Sequence, residues 1–141
     1  MWIGTVDGGV SRYDGKTFVN FTTENGLAND GVYAIDQHPD GVMWFGTGGV
    51  WAEGHGVSRY DGKTSQSDRD SDVTVGMQSE KRFVNFTTED GLAANQVISI
   101  HHDPDGVMWF GTVTAGVCRY DGRSFLTLTT EDGLAGNTVH A

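Results

Sequence analysis

Met-Trp-Ile-Gly-Thr opens the chain at residues 1–5, and it returns as Met-Trp-Phe-Gly-Thr at 43–47 and again at 108–112. The same companions follow each copy. Gly-Val-Ser-Arg-Tyr-Asp-Gly at 9–15 and 56–62 becomes Gly-Val-Cys-Arg-Tyr-Asp-Gly at 116–122. Phe-Val-Asn-Phe-Thr-Thr-Glu at 18–24 and 83–89 becomes Phe-Leu-Thr-Leu-Thr-Thr-Glu at 125–131. Trp2 and Trp44 lie 42 positions apart, and Trp44 and Trp109 lie 65 apart, so the second interval carries 23 extra residues. A fixed period of this kind governs every local reading.

Each period predicts four short strands. Trp, Ile and Thr within 1–5 suit a pleated, half-buried surface. Gly9 to Tyr13 alternates between two faces, Asp14-Gly15 marks a tight hairpin, and Phe18 to Phe21 returns. Thr22 to Asp30 reads as a polar loop with Leu27 as its buried candidate. Val32 to Gln37 alternates again, and His38-Pro39-Asp40-Gly41 turns back into the Trp motif. No window carries an apolar period near 3.6, which excludes a helical repeat. A four-stranded meander cannot cover both of its own faces, but copies stacked around an axis can. The expected fold is therefore all-β: a β-propeller with blades of four antiparallel strands, three per chain. It forms one segment over 1–141, with units of about 1–31, 32–96 and 97–141. Insertions at 48–55 and 65–82 interrupt the second unit.

The combined pattern Asp-Gly-x-Met-Trp-Phe-Gly-Thr, Gly-Val-x-Arg-Tyr-Asp, Phe-x-x-Phe/Leu-Thr-x-Glu-Asp-Gly-Leu and Val-x-x-Ile resembles the two-component regulator propeller repeat. It runs through nearly all of the chain outside 48–55 and 65–82. The resemblance implies a β-propeller of the type found in periplasmic sensor regions of hybrid histidine kinases. It thereby implies a periplasmic or extracellular location and an oligosaccharide partner. Signalling is not carried over, because this chain holds neither the kinase nor a membrane helix.

Propellers have roughly four to eight blades. Three blades leave two open sides carrying apolar side chains, which invites association. The expected partner is the chain itself, as a homodimer of six blades, with a nine-bladed homotrimer as the alternative. Residues 138–141 begin a fourth unit and are expected to complete, in the other copy, the blade begun by residues 1–21.

Composition narrows the partners further. The net charge of −10 and a sequence pI near 4.6 argue against nucleic acid, which calls for a basic patch. No run of 18 apolar residues is present, so no membrane helix is expected, nor does the N-terminus predict a signal peptide. Cys118 is alone and forms no intrachain disulfide. It replaces Ser11 and Ser58 and reads as a small strand residue.

Repetition also sorts the candidate sites. Trp2, Trp44, Trp109, Tyr13, Tyr60 and Tyr120 recur at equivalent positions and read as structural packing between blades. Arg12, Arg59 and Arg119 beside Asp14, Asp61 and Asp121 read as ion pairs or turn hydrogen bonds. Asn25, Asp90 and Asp132 suit turn caps. Trp51, Glu53 and His55 stand in an insertion the fold does not need. A ring beside a carboxylate and an imidazole makes a ligand-binding set suited to a sugar. That loop is expected on the same face as the Gly-Leu-Ala loops. Asp68, Asp70 and Asp72 alternate as Ca²⁺ ligands do, yet the Gly and late Glu of a calcium loop are absent, so a solvated acidic loop is the preferred reading. No metal site is expected, and the five histidines show no zinc spacing.

Three functions follow in order. The first is a non-enzymatic, self-assembling β-propeller module for binding or scaffolding. The second is a carbohydrate-binding sensor domain. The third is a propeller lyase, which would need an acid/base pair and a metal at the axis. The near-identity of the repeats fits recent blade duplication, and equally a designed propeller or a segment of a longer one.

Overall fold

The computed structural model describes residues 1–48, 54–62 and 83–140. Among these residues eleven strands follow the repeat: Trp2–Gly4 (β1), Val10–Tyr13 (β2), Phe18–Phe21 (β3), Val32–Gln37 (β4), Met43–Thr47 (β5), Val57–Tyr60 (β6), Phe83–Phe86 (β7), Val97–His102 (β8), Met108–Thr112 (β9), Val117–Tyr120 (β10) and Phe125–Leu128 (β11). They form three antiparallel sheets, ordered β1-β2-β3, β4-β5-β6-β7 and β8-β9-β10-β11. The register repeats as the sequence does: Trp2 faces Arg12, Trp44 faces Arg59, and Trp109 faces Arg119. The all-β expectation holds. The strand from Val32 is the inner edge of the second sheet, so each period spans the end of one blade and the start of the next.

The sheets stack face to face, with inner strands β4 and β8 adjoining. One core cluster lies between blades 1 and 2 and includes Val10, Leu27, Phe45, Tyr60 and Phe83. A second lies between blades 2 and 3 and includes Trp44, Val57, Leu92, Met108 and Phe110. Phe45 and Phe110 are fully buried, and each such side chain contributes about 1.5–3 kcal/mol. The inner strand of one blade lies so close to its neighbour that Gly46 has room for no side chain. A Cβ there would sit 2.8 Å from the carbonyl oxygen of Val97.

The loop from Thr22 is more ordered than its polarity suggested. Residues 23–25, 88–90 and 130–132 each form one 3₁₀ turn. The preceding threonine (22, 87 or 129) caps it, while Asn25, Asp90 or Asp132 accepts from that threonine's N–H. Gly26, Gly91 and Gly133 end the turns at φ of 106°, 111° and 108°, a left-handed conformation open chiefly to glycine. These turns carry Leu27 and Leu92 into the next blade, where both are 3% exposed.

Candidate functional site

The repeated surface of this molecule is the junction between blades. At the first junction Trp2 packs on Phe45 and Tyr60 of the following blade, each with ring centroids 5.3 Å away. At the second, Trp44 packs on Phe110 at 5.5 Å and Tyr120 at 5.7 Å. Trp44 is buried. Trp2, with Arg12 over its ring at 5.6 Å, is half-buried. Phe83 and Phe125 complete the two contacts by reaching back to Phe21 and Phe86 at 5.8 and 5.9 Å.

The same surfaces reappear, unfilled, at the two ends of the stack. Trp109 lies on the far side of blade 3 with Arg119 over its ring at 6.0 Å. It borders a hollow of about 290 Å³ with Ile100, His101, Val117 and Val139. On blade 1 the equivalents of Phe45, Tyr60 and Phe83 are Ile3, Tyr13 and Phe18. Tyr13 stacks on Phe18 at 4.5 Å, as Tyr120 does on Phe125. Yet Ile3 is 38% and Phe18 59% exposed, whereas Phe45 is 0% and Phe83 6% exposed.

Hydrogen bonds reinforce the first junction. The Ala28 N–H donates to Ser58 Oγ at 2.9 Å, Ser58 Oγ donates to Asn85 Oδ1 at 2.7 Å, and Asn85 Nδ2 donates to the Gly26 carbonyl at 2.9 Å. Blade 3 has Cys118 and Thr127 at the positions of Ser58 and Asn85. Thr127 Oγ1 donates to the sulfur at 3.9 Å, and the Ala93 N–H also reaches it. Burial pushes the thiol pKa up. The second junction has its own polar contacts: His102 Nδ1 pairs with Asp36 Oδ2 at 2.7 Å, and His38 Nε2 meets the Gly106 carbonyl at 2.9 Å.

Of the sugar-binding candidates, Trp51 and Glu53 lie outside the described residues, as do Asp68, Asp70 and Asp72. His55 is exposed, and its Nδ1 lies 2.8 Å from Asn29 Nδ2. His55 and the Thr22–Asp30 loop therefore meet on one face. The recurring aspartates serve turns: Asp14 Oδ1 accepts from the N–H groups of Lys16 and Thr17, and Asp121 Oδ1 from those of Arg123 and Ser124. The Thr17 N–H foremost, then that of Lys16, holds the Asp14 carboxyl below its ordinary value. Among the described residues no group of three or more His, Cys, Asp and Glu could hold a metal ion.

Sequence reasoning missed a cleft of about 410 Å³ at the opposite end of the second junction. His38, Asp40, Trp44, Arg59, Phe86 and Tyr120 line it, drawn from two blades. No spacing in the chain could have announced it. The Val42 N–H foremost, and then His38 and Arg59, hold the Asp40 carboxyl below its usual range.

Sheets stacked through a repeated aromatic junction, inner strand against inner strand, define a set of β-propeller blades. Residues 26–49 and 91–114 match the two component regulator propeller family. No curated protein matches the chain. Among solved structures, the chain is similar to the extracellular domain assigned to a hybrid two component system of B. thetaiotaomicron. The identity is 26%, the coverage 97% of this chain, and the TM-score 0.66. A second such extracellular domain from that organism matches at 19% identity over 96% of this chain, with a TM-score of 0.67. The chain spans 16% and 18% of the length of these two neighbours. No described helix is long and apolar enough to cross a membrane.

Proposed function

We propose that this chain is a non-enzymatic assembly module. Its two end faces pair head to tail with those of a second copy, closing a ring of six blades whose loops serve as a binding scaffold. One observation carries the reading. The two halves of the aromatic junction that is filled twice inside the chain stand unfilled at its two ends, with Trp109 on one and Ile3, Tyr13 and Phe18 on the other. The contact joins different surfaces, and such contacts close into a ring only when the rotation per step fits the circle. Propeller blades supply that rotation. Two copies give six blades, within the usual range of about four to eight, whereas a homotrimer gives nine.

The residues after Asn137 fit the same plan. The Val139 N–H donates to the Thr112 carbonyl at 2.9 Å, as the Val32 N–H donates to that of Thr5 at 2.8 Å. Val32 goes on to pair with Thr47 in its own blade. By the same register Val139 would pair with Thr5 of the second copy. Sedimentation velocity across a concentration series tests the reading. The expected particle has twice the mass of the chain, and a monomer at every concentration refutes it.

A second reading is a carbohydrate-binding sensor segment in an extracellular location. It is favoured by the likeness to extracellular domains of two-component systems and by exposed His55 on the loop-bearing face. Glycan arrays with the wild type and Trp51→Ala test it. Loss of one bound glycan class in the variant supports it, and no binding by the wild type removes it.

A further inference from the structure

We infer that the seam between two copies is locked by a polar latch, in which Ser11 and Asn20 of one copy grip the backbone of Gly133–Ala135 of the other. The inference rests on the ring reading and names the groups that set its register. The pattern comes from the first internal junction, where Ser58 accepts from the Ala28 N–H and Asn85 donates to the Gly26 carbonyl. Ser11 and Asn20 occupy the same cross-strand positions in blade 1 as Ser58 and Asn85 do in blade 2.

They are already set in the same way. Ser11 Oγ donates to Asn20 Oδ1 at 2.6 Å, as Ser58 Oγ does to Asn85 Oδ1 at 2.7 Å. The serine proton is thereby committed, which leaves its oxygen an acceptor and turns the Asn20 Nδ2 outward as a donor. Among the described residues nothing bonds to Asn20 Nδ2. The complementary groups stand at the other end of the stack. Gly133 and Ala135 correspond to Gly26 and Ala28, both are exposed, and no described residue uses the Gly133 carbonyl or the Ala135 N–H. Between them, half-buried Leu134 corresponds to Leu27 and Leu92, which are 3% exposed in their junctions. One turn thus presents an acceptor, an apolar side chain and a donor, and the Ser11–Asn20 pair offers the matching donor and acceptor.

The second internal junction shows that the latch is not a requirement of blade stacking. There Cys118 and Thr127 replace the pair, and no described residue takes the Gly91 carbonyl. Among the described residues the Asn20 Nδ2 has no partner in its own chain. Its use is in the contact with a second copy, where apolar stacking alone would tolerate slippage.

Sedimentation equilibrium of the full chain, with Ser11→Ala, Asn20→Ala and the double variant, tests this. Circular dichroism confirms that each variant remains folded. Each lost hydrogen bond is expected to raise the dimer Kd about two- to tenfold. Hydrogen exchange supplies an independent readout. The Ala135 amide is expected to be protected in the wild-type dimer and to exchange faster in Ser11→Ala, while the Ala28 amide, held by Ser58, is unchanged. A wild-type dimer whose Kd does not move in the double variant overturns the latch and leaves the ring standing. A wild-type chain that never dimerises overturns both.

Discussion

Phe83 and Phe18 hold the same place in two blades, yet one is 6% exposed and the other 59%. The residue, the strand and the adjoining tyrosine are alike in both. Only the neighbour differs: Phe83 has Phe21 of the preceding blade against it, and Phe18 has none. The same contrast separates Trp44, packed between Phe86, Phe110 and Tyr120, from Trp109, which has Arg119 but no described aromatic ring in contact. A blade therefore does not finish its own core. Each surface is half of a contact, and the sequence writes both halves even where the chain supplies only one.

The largest test of this contrast is truncation of the tryptophans. Trp44→Ala is expected to destabilise the fold by about 3–5 kcal/mol in urea unfolding, because it removes the centre of a filled junction. Trp109→Ala should cost far less in the monomer and should abolish dimerisation in sedimentation. Equal losses of stability from the two would break the comparison. Phe18→Asp sharpens it on the opposite face: the chain stays folded but stops associating, whereas Phe83→Asp buries a charge and prevents folding.

Next in size is the close approach of the inner strand β8 to β5 of the preceding blade. Gly46→Ala places a Cβ 2.8 Å from the Val97 carbonyl oxygen, and overpacking of this kind costs about 1–3 kcal/mol. Thermal unfolding should show a lower midpoint.

Cys118→Ser should shift stability by less than about 1 kcal/mol, since it restores the group that Ser58 places at the first junction. In the native chain the buried thiol, its pKa raised, should react slowly with an alkylating reagent at neutral pH and quickly after denaturation. The smallest effect belongs to the turn aspartates. Asp14 and Asp121 have folded pKa values below 3.8, so their contribution is present above that pH and is lost as pH falls through the lowered values. In Asp14→Ala/Asp121→Ala the unfolding midpoint should therefore lie slightly below the wild type at pH 6, and the gap should close toward pH 2.

Much of this architecture was legible in the residues. The recurrence of Trp2, Trp44 and Trp109, with Asp-Gly turns at fixed offsets, requires short antiparallel strands in repeated sheets, because β-branched and aromatic alternation leaves no other way to bury both faces. The capping roles of Asn25, Asp90 and Asp132 were also local, since a side chain three positions on reaches its own turn's N–H. The cleft lined by His38 and Arg59 was not legible, and neither was the bond from Asn85 to the Gly26 carbonyl, 59 positions away. Those depend on which blade lies against which.

By itself, then, the sequence determined the repeat, the strands, their register and the turns that join them, for all of these arise from interactions between residues close along the chain. Only the tertiary structure decided which surfaces are filled and which stand open. Exposure is a property of neighbours in space, and identical blades have different neighbours at the middle of a stack and at its ends.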